Sequence, residues 1–250
     1  EMPDADTLLL SGERDDNIWY QRGARDGTAW LPAWDPEPVP FDADANFNNP
    51  AIAQAITALP DAVIVGGSWN VAGDNVYSAW LRRLGPADGA VACPCELANA
   101  GVMAMAPAGM DAVHVAGFAQ DGTQTQLWLA KLGATCPMNC VPVWEEKVPG
   151  KFADAYVLRA ELLRDLAYTI VPLADGGVIV GGTVDSKPWA ALRAADGTWP
   201  WTMEPSPNVA LGAVMAASLS ADERCLTLAG SKDHLELGAR QWWVRRIPLP

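Results

Sequence analysis

Five times along the chain a short apolar run ends in a small residue and a glycine: LLLSG at Gly12, VIVGG at Gly67, VHVAG at Gly117, VIVGG at Gly182 and LTLAG at Gly230. A repeat at this spacing marks a series of identical supersecondary units, each unable to bury its apolar face alone. An Asp lies six to eight residues before each glycine, at Asp4, Asp61, Asp111, Asp175 and Asp222, as expected of a turn that opens a strand. After each glycine comes a variable polar segment and then a Trp: Trp19, Trp80, Trp128, Trp189 and Trp243. Three of these Trp segments run on into Asp-Gly, at Asp26, Asp88 and Asp196. Asp-Gly between apolar segments is a strong hairpin signal, so a further strand is expected after it.

The segments before the Asp turns complete the unit: AIAQAITAL from Ala51, GVMAMAPAGM from Gly101, LAYTIVPL from Leu166 and LGAVMAASLS from Leu211. They are rich in Ala and Gly, as strands converging on one axis must be, because only small side chains fit there. The glycines are 48 to 65 residues apart, close to the roughly 40 to 50 residues of a four-stranded propeller blade. The expected fold is therefore all-β, a β-propeller of five blades with up to four antiparallel strands each. It forms one domain over residues 1–250, with blade cores near 7–35, 51–97, 101–148, 166–205 and 211–250. The first blade lacks its first strand and the last lacks its fourth. A closed ring is still expected, since an open arc leaves sheet faces unpacked. Residues 149–165 form an insertion in which Leu158, Leu162 and Leu166 have helical spacing, expected as a packing cap in preference to a functional loop.

Composition agrees with many short strands joined by turns: the 250 residues are 50% hydrophobic and include 22 Gly and 20 Pro. No run of about 18 apolar residues is present, so no membrane span is expected. No secretory signal is visible ahead of the first repeat, as would also hold for a mature chain.

The stretches VIVGGSW, SAWLRRL, PADGAV, LWLAKL, VIVGG, PWAALRAADGTWPW and QWWVRRI together resemble the short propeller repeats of secreted and lipoprotein-type bacterial proteins. The resemblance covers nearly the entire chain. It implies a location in the cell envelope or outside the cell, and a binding or scaffolding role. The third repeat departs from the pattern, with ATCPMNC where Asp-Gly is expected.

That departure contains two of the five cysteines, Cys136 and Cys140; Cys93 and Cys95 lie in ACPC, and Cys225 stands alone. Cys136 and Cys140 flank a tight turn at a separation suited to a hairpin disulfide, which would indicate an oxidising compartment. A four-cysteine zinc site is the lesser reading, since the spacings are not those of a zinc knuckle. No metal is expected. Cys225 is expected as a buried, inert thiol.

Twelve Trp residues invite a carbohydrate reading, but the repeat explains most of them. Trp19, Trp80, Trp128, Trp189 and Trp243 share one strand position and are expected as packing between blades. Trp30, Trp144, Trp199 and Trp201 fall in fourth strands. Trp34, Trp69 and Trp242 remain off the pattern. Trp69, in the loop segment SWNVAGDN beside Asn70, Asp74 and Asn75, is the expected ligand platform.

The net charge of −13 excludes a nucleic-acid partner, which needs a basic footprint. Asp42, Asp44, Asn46 and Asn48 alternate like calcium ligands, but Phe47 and Ala53 occupy the positions where an EF-hand needs Gly and Glu. Only His114 and His234 are present, and no phosphate loop or nucleophile elbow occurs. The expectation is a non-catalytic binding or scaffolding propeller, not an enzyme, without a cofactor, whose partner is a protein or a carbohydrate. The alternatives are a lectin using loop Trp residues and a glycoside hydrolase with axial carboxylates, for which Asp165 is the nearest candidate.

Overall fold

The structure is a computed structural model that describes residues 7–14, 17–26, 29–34, 52–71, 76–121, 124–138, 140–148, 166–203, 209–234 and 240–249. Every regular element among these is a β-strand, and the strands form five antiparallel meanders. The first sheet holds β1 (Thr7–Arg14), β2 (Asn17–Asp26) and β3 (Ala29–Trp34). The second holds β4 (Ile52–Leu59), β5 (Ala62–Val71), β6 (Val76–Leu84) and β7 (Val91–Ala98). The third holds β8 (Ala100–Pro107), β9 (Ala112–Asp121), β10 (Gln124–Gly133) and β11 (Pro142–Val148). The fourth holds β12 (Leu166–Pro172), β13 (Val178–Val184), β14 (Lys187–Arg193) and the short β15 (Trp201–Thr202). The fifth holds β16 (Val209–Leu219), β17 (Cys225–His234) and β18 (Arg240–Pro248). Such sheets are compatible with propeller blades. The insertion expected at 149–165 lies outside the described residues.

The turns form for the reason the Asp repeat suggested. Side-chain oxygens of Asp88, Asp175, Asp196 and Asp222 each accept the backbone N–H two residues on, at 3.0, 2.8, 2.9 and 3.2 Å. The hydroxyls of Thr198 and Ser220 also donate to Asp196 and Asp222, at 2.7 and 2.6 Å. These bonds favour the ionised carboxylates, so both hold their protons less tightly than an ordinary aspartate.

The glycine and Trp of each repeat are cross-strand partners: Gly12 with Trp19, Gly67 with Trp80, Gly182 with Trp189 and Gly230 with Trp243. First strands are bulged near the glycine's partner, between Ala53 and Ala55, Ala167 and Thr169, and Val214 and Ala216.

The chain divides into two compact units, residues 1–115 with 130–144 and residues 116–129 with 145–250. The first contains the core of Tyr20, Ala53, Val63, Val65, Trp80 and Leu84, against which Leu9 and Ile56 pack. The second contains Ile179, Ala190, Met203, Val214, Leu226 and Leu228, with Trp201, Trp243 and Ile247 at its margin. Trp80, Trp128 and Trp189 are buried fillers, as the repeat implied; the side chain of Trp19 lies outside the described residues. Among the described residues no helix is long and apolar enough to cross a membrane.

Candidate functional site

Trp69 and Asn70 lie within β5, not in a loop: the hairpin continues through the pairs Trp69 with Ser78, Asn70 with Tyr77 and Val71 with Val76. Their side chains, with Asp74 and Asn75, lie outside the described residues. So do Asp165 and the Asp42 to Asn48 stretch.

The cysteines pair differently from the hairpin bridge the spacing suggested. Cys136 and Cys140 are not joined to each other; Cys93 bonds Cys136 and Cys95 bonds Cys140, with Cα separations of 6.0 and 5.7 Å. The reason is the period of a strand. Cys93 and Cys95 are two residues apart on β7 and both buried, hence on one face. They meet the connection between β10 and β11, whose start is fixed where Ala134 donates to the Asp111 carbonyl and accepts from Arg83 Nη1, at 2.7 and 2.9 Å. The four cysteines are thus brought together as two disulfides. Cys225 is a free thiol, half-buried instead of fully buried, and accepts from Arg246 Nε at 3.2 Å. Among the described residues no group of three or more His, Cys, Asp or Glu is placed to hold a metal ion.

Carboxylates of β11 accept from Trp and Arg side chains. In the third sheet, Trp128 Nε1 donates to Glu145 Oε2 of β11 at 3.4 Å. Neighbouring Glu146 accepts from Trp199 Nε1 at 2.9 Å and forms an ion pair with the buried Arg193. In the second sheet, Glu96 of β7 stands opposite Trp80 in register. Among the described residues the buried Nε1 groups of Trp80 and Trp243 have no hydrogen-bond partner, although Glu96 faces Trp80.

The fifth sheet differs from the others on one face. Trp242 and Val244 flank Trp243 and are 78% and 74% exposed. Register equates them with Ala79 and Leu81, which flank Trp80 in β6 and are both 0% exposed. In the fourth sheet the same positions are Pro188 and Ala190, both buried. Met215, the residue skipped at the β16 bulge, is also exposed. Among the described residues no strand pairs with the outer side of β18, where β7, β11 and β15 flank β6, β10 and β14. Sequence reasoning placed Trp242 off the pattern but did not single it out. The available mark was a large aromatic where the other repeats carry Ala79, Leu127 and Pro188.

No family model matches the chain, and no curated protein matches it. Among solved structures it is similar to a hypothetical protein from Leishmania major, with a TM-score of 0.43 and 10% identity over 99% of this chain and 83% of that one. It is also similar to an endo-arabinase from Bacteroides thetaiotaomicron, with a TM-score of 0.42 and 11% identity over 98% of this chain and 90% of that one. Both scores are too low to establish a common fold or to transfer an activity.

Proposed function

We propose that this chain is a non-catalytic binding or scaffolding module of the cell envelope or extracellular space, built of propeller-type blades, and that it contacts a protein partner through the exposed Trp242 and Val244 of β18. The observation that carries this reading is the exposure of Trp242 and Val244 at positions where the equivalent residues of the second sheet are fully buried. Two large apolar side chains left side by side in water, where their register equivalents are buried, favour an interaction surface. Two disulfides support an oxidising compartment. The first strands β4, β8, β12 and β16 carry no Asp or Glu, which favours binding over a hydrolase that works through paired carboxylates.

The test is peptide-display panning and a glycan array run side by side on the parent chain, the Trp242→Ser/Val244→Thr variant and Trp69→Ala. Both exposed-face substitutions remove little buried area, so the variant keeps its fold. Expected is enrichment of peptides that bind the parent and Trp69→Ala but not the double variant. Glycan binding abolished by Trp69→Ala would replace this reading with a lectin, and release of reducing sugar from the arrayed glycans would replace it with a glycoside hydrolase.

A further inference from the structure

Both disulfides join β7 to the connection after β10, yet their surroundings differ. Cys95 and Cys140 are both buried, and Cys95 stands opposite the fully buried Leu81. Cys93 is buried as well, but its partner Cys136 is exposed, together with Thr135 and Pro137 on either side of it. One end of the Cys93–Cys136 bridge therefore faces water, and neither end of Cys95–Cys140 does. Exposed disulfides are the labile ones, because exchange requires an attacking thiolate to reach a sulfur.

Charge separates the two bridges further. Cys93 is the cross-strand partner of Arg83, so both side chains leave the same face of the sheet. The Arg83 side chain is largely buried and held in place there. Its Nη1 donates to the carbonyl of Ala134, two residues before Cys136, at 2.9 Å, and its Nη2 donates to Asp61 at 2.8 Å. A guanidinium beside a cysteine favours the thiolate, and a sulfur leaves a disulfide faster when its thiolate is stabilised. Leu81 offers Cys95 no such help. Opening Cys93–Cys136 also leaves the long loop closed, because Cys95–Cys140 spans 45 residues that nearly coincide with the 43 of its neighbour.

We propose that Cys93–Cys136 is a thiol-exchange site, at which a low-molecular-weight thiol opens the bridge and becomes attached to Cys136 while Cys95–Cys140 holds the fold. The thiolate of the small molecule attacks Cys136 Sγ and forms a new S–S bond there. The Cys93–Cys136 bond breaks, and its electron pair leaves on Cys93 Sγ as a thiolate beside Arg83. Attack by Cys93 Sγ on Cys136 Sγ reverses the step, expels the small thiolate and restores the bridge. One disulfide replaces another in each direction, so no oxidant or reductant is consumed.

The test uses the folded chain carrying Cys225→Ser, which removes the thiol that stands outside the bridges and so prevents reshuffling. The chain is incubated with a mixture of reduced and oxidised glutathione, quenched with N-ethylmaleimide, and mapped by tandem mass spectrometry. Expected is glutathione on Cys136 with N-ethylmaleimide on Cys93, appearing at least about tenfold faster than any label on Cys95 or Cys140. The near-UV circular dichroism should be retained, and the bridge should re-form when glutathione is removed. Arg83→Met should slow the opening, and Arg83→Lys should largely restore it. Both bridges opening together, or Cys95–Cys140 opening first, would overturn the proposal by showing that thiols reach the sulfurs only through unfolding. Bridges that stay closed until denaturant is added would overturn it equally. Glutathione found on Cys93 would overturn the assignment of Cys136 as the attacked sulfur, and a rate indifferent to both Arg83 substitutions would overturn the part given to the arginine.

Discussion

A methyl group added at Gly230 would meet the carbonyl oxygen of Ala213 on β16 and Trp243 Cζ2, the latter at 2.8 Å. At Gly182 it would meet the carbonyl oxygen of Leu166 and, at 2.8 Å, Ala167 Cα. Backbone atoms cannot move aside as a side chain can. The repeated glycine is therefore a close-approach position, set by the bulged first strand that crosses it. Gly12 occupies the same place in the motif, yet a methyl group there meets nothing within 4 Å, and among the described residues no bulged strand lies beside β1. Gly230→Ala should cost about 1 to 3 kcal/mol as overpacking, and Gly12→Ala little, with a small gain possible from reduced chain entropy. Denaturant melts of the two variants decide this; equal losses would show that the neighbouring strand is not why glycine recurs. The glycine, its Trp partner and the Asp turns were all legible in the sequence because each acts within one hairpin. The exposure of Trp242 was not, because its neighbours in sequence resemble those of Ala79 and the difference lies in what covers the sheet.

Each strand and its order in a meander followed from local pattern, but bridges between elements did not. Cys136 and Cys140 look like a hairpin pair when only sequence distance is weighed. The spacing of Cys93 and Cys95 on β7 carried the better signal, since two thiols on one strand face need two partners in front of it. The bridges span 43 and 45 residues. Closing one such loop restricts the unfolded chain by about 4 kcal/mol in the entropic picture. The second bridge then closes only a short ring, worth about 2 kcal/mol. Cys95→Ser/Cys140→Ser should therefore lose clearly less stability than full reduction, and so should Cys93→Ser/Cys136→Ser. Thermal melts of the three species measure it. Single-pair variants as unstable as the reduced chain would show that each bridge is held by something other than loop closure.

At the scale of the molecule the repeat marks five segments, each of which contributes one antiparallel sheet, whereas ring closure is encoded by no local pattern. Charge is the whole-molecule property that sequence does give. Thirty acids against 17 bases leave −13, and this excess opposes the compact state through repulsion acting across many pairs at once. The Debye length shrinks from about 30 Å at about 0.01 M salt to about 8 Å at about 0.15 M, which screens distant repulsion first. Short attractions respond less. Arg193 with Glu146 is largely shielded from water, and an exposed pair such as Arg83 with Asp61, 2.8 Å apart, contributes only about 0.2 to 1 kcal/mol. Adding salt therefore removes more repulsion than attraction, and the melting midpoint should rise by about 2 to 4 °C for each kcal/mol regained. Differential scanning fluorimetry across that salt range tests the balance. A midpoint that falls with salt would mean that surface ion pairs, and not the net charge, dominate the electrostatics of this fold.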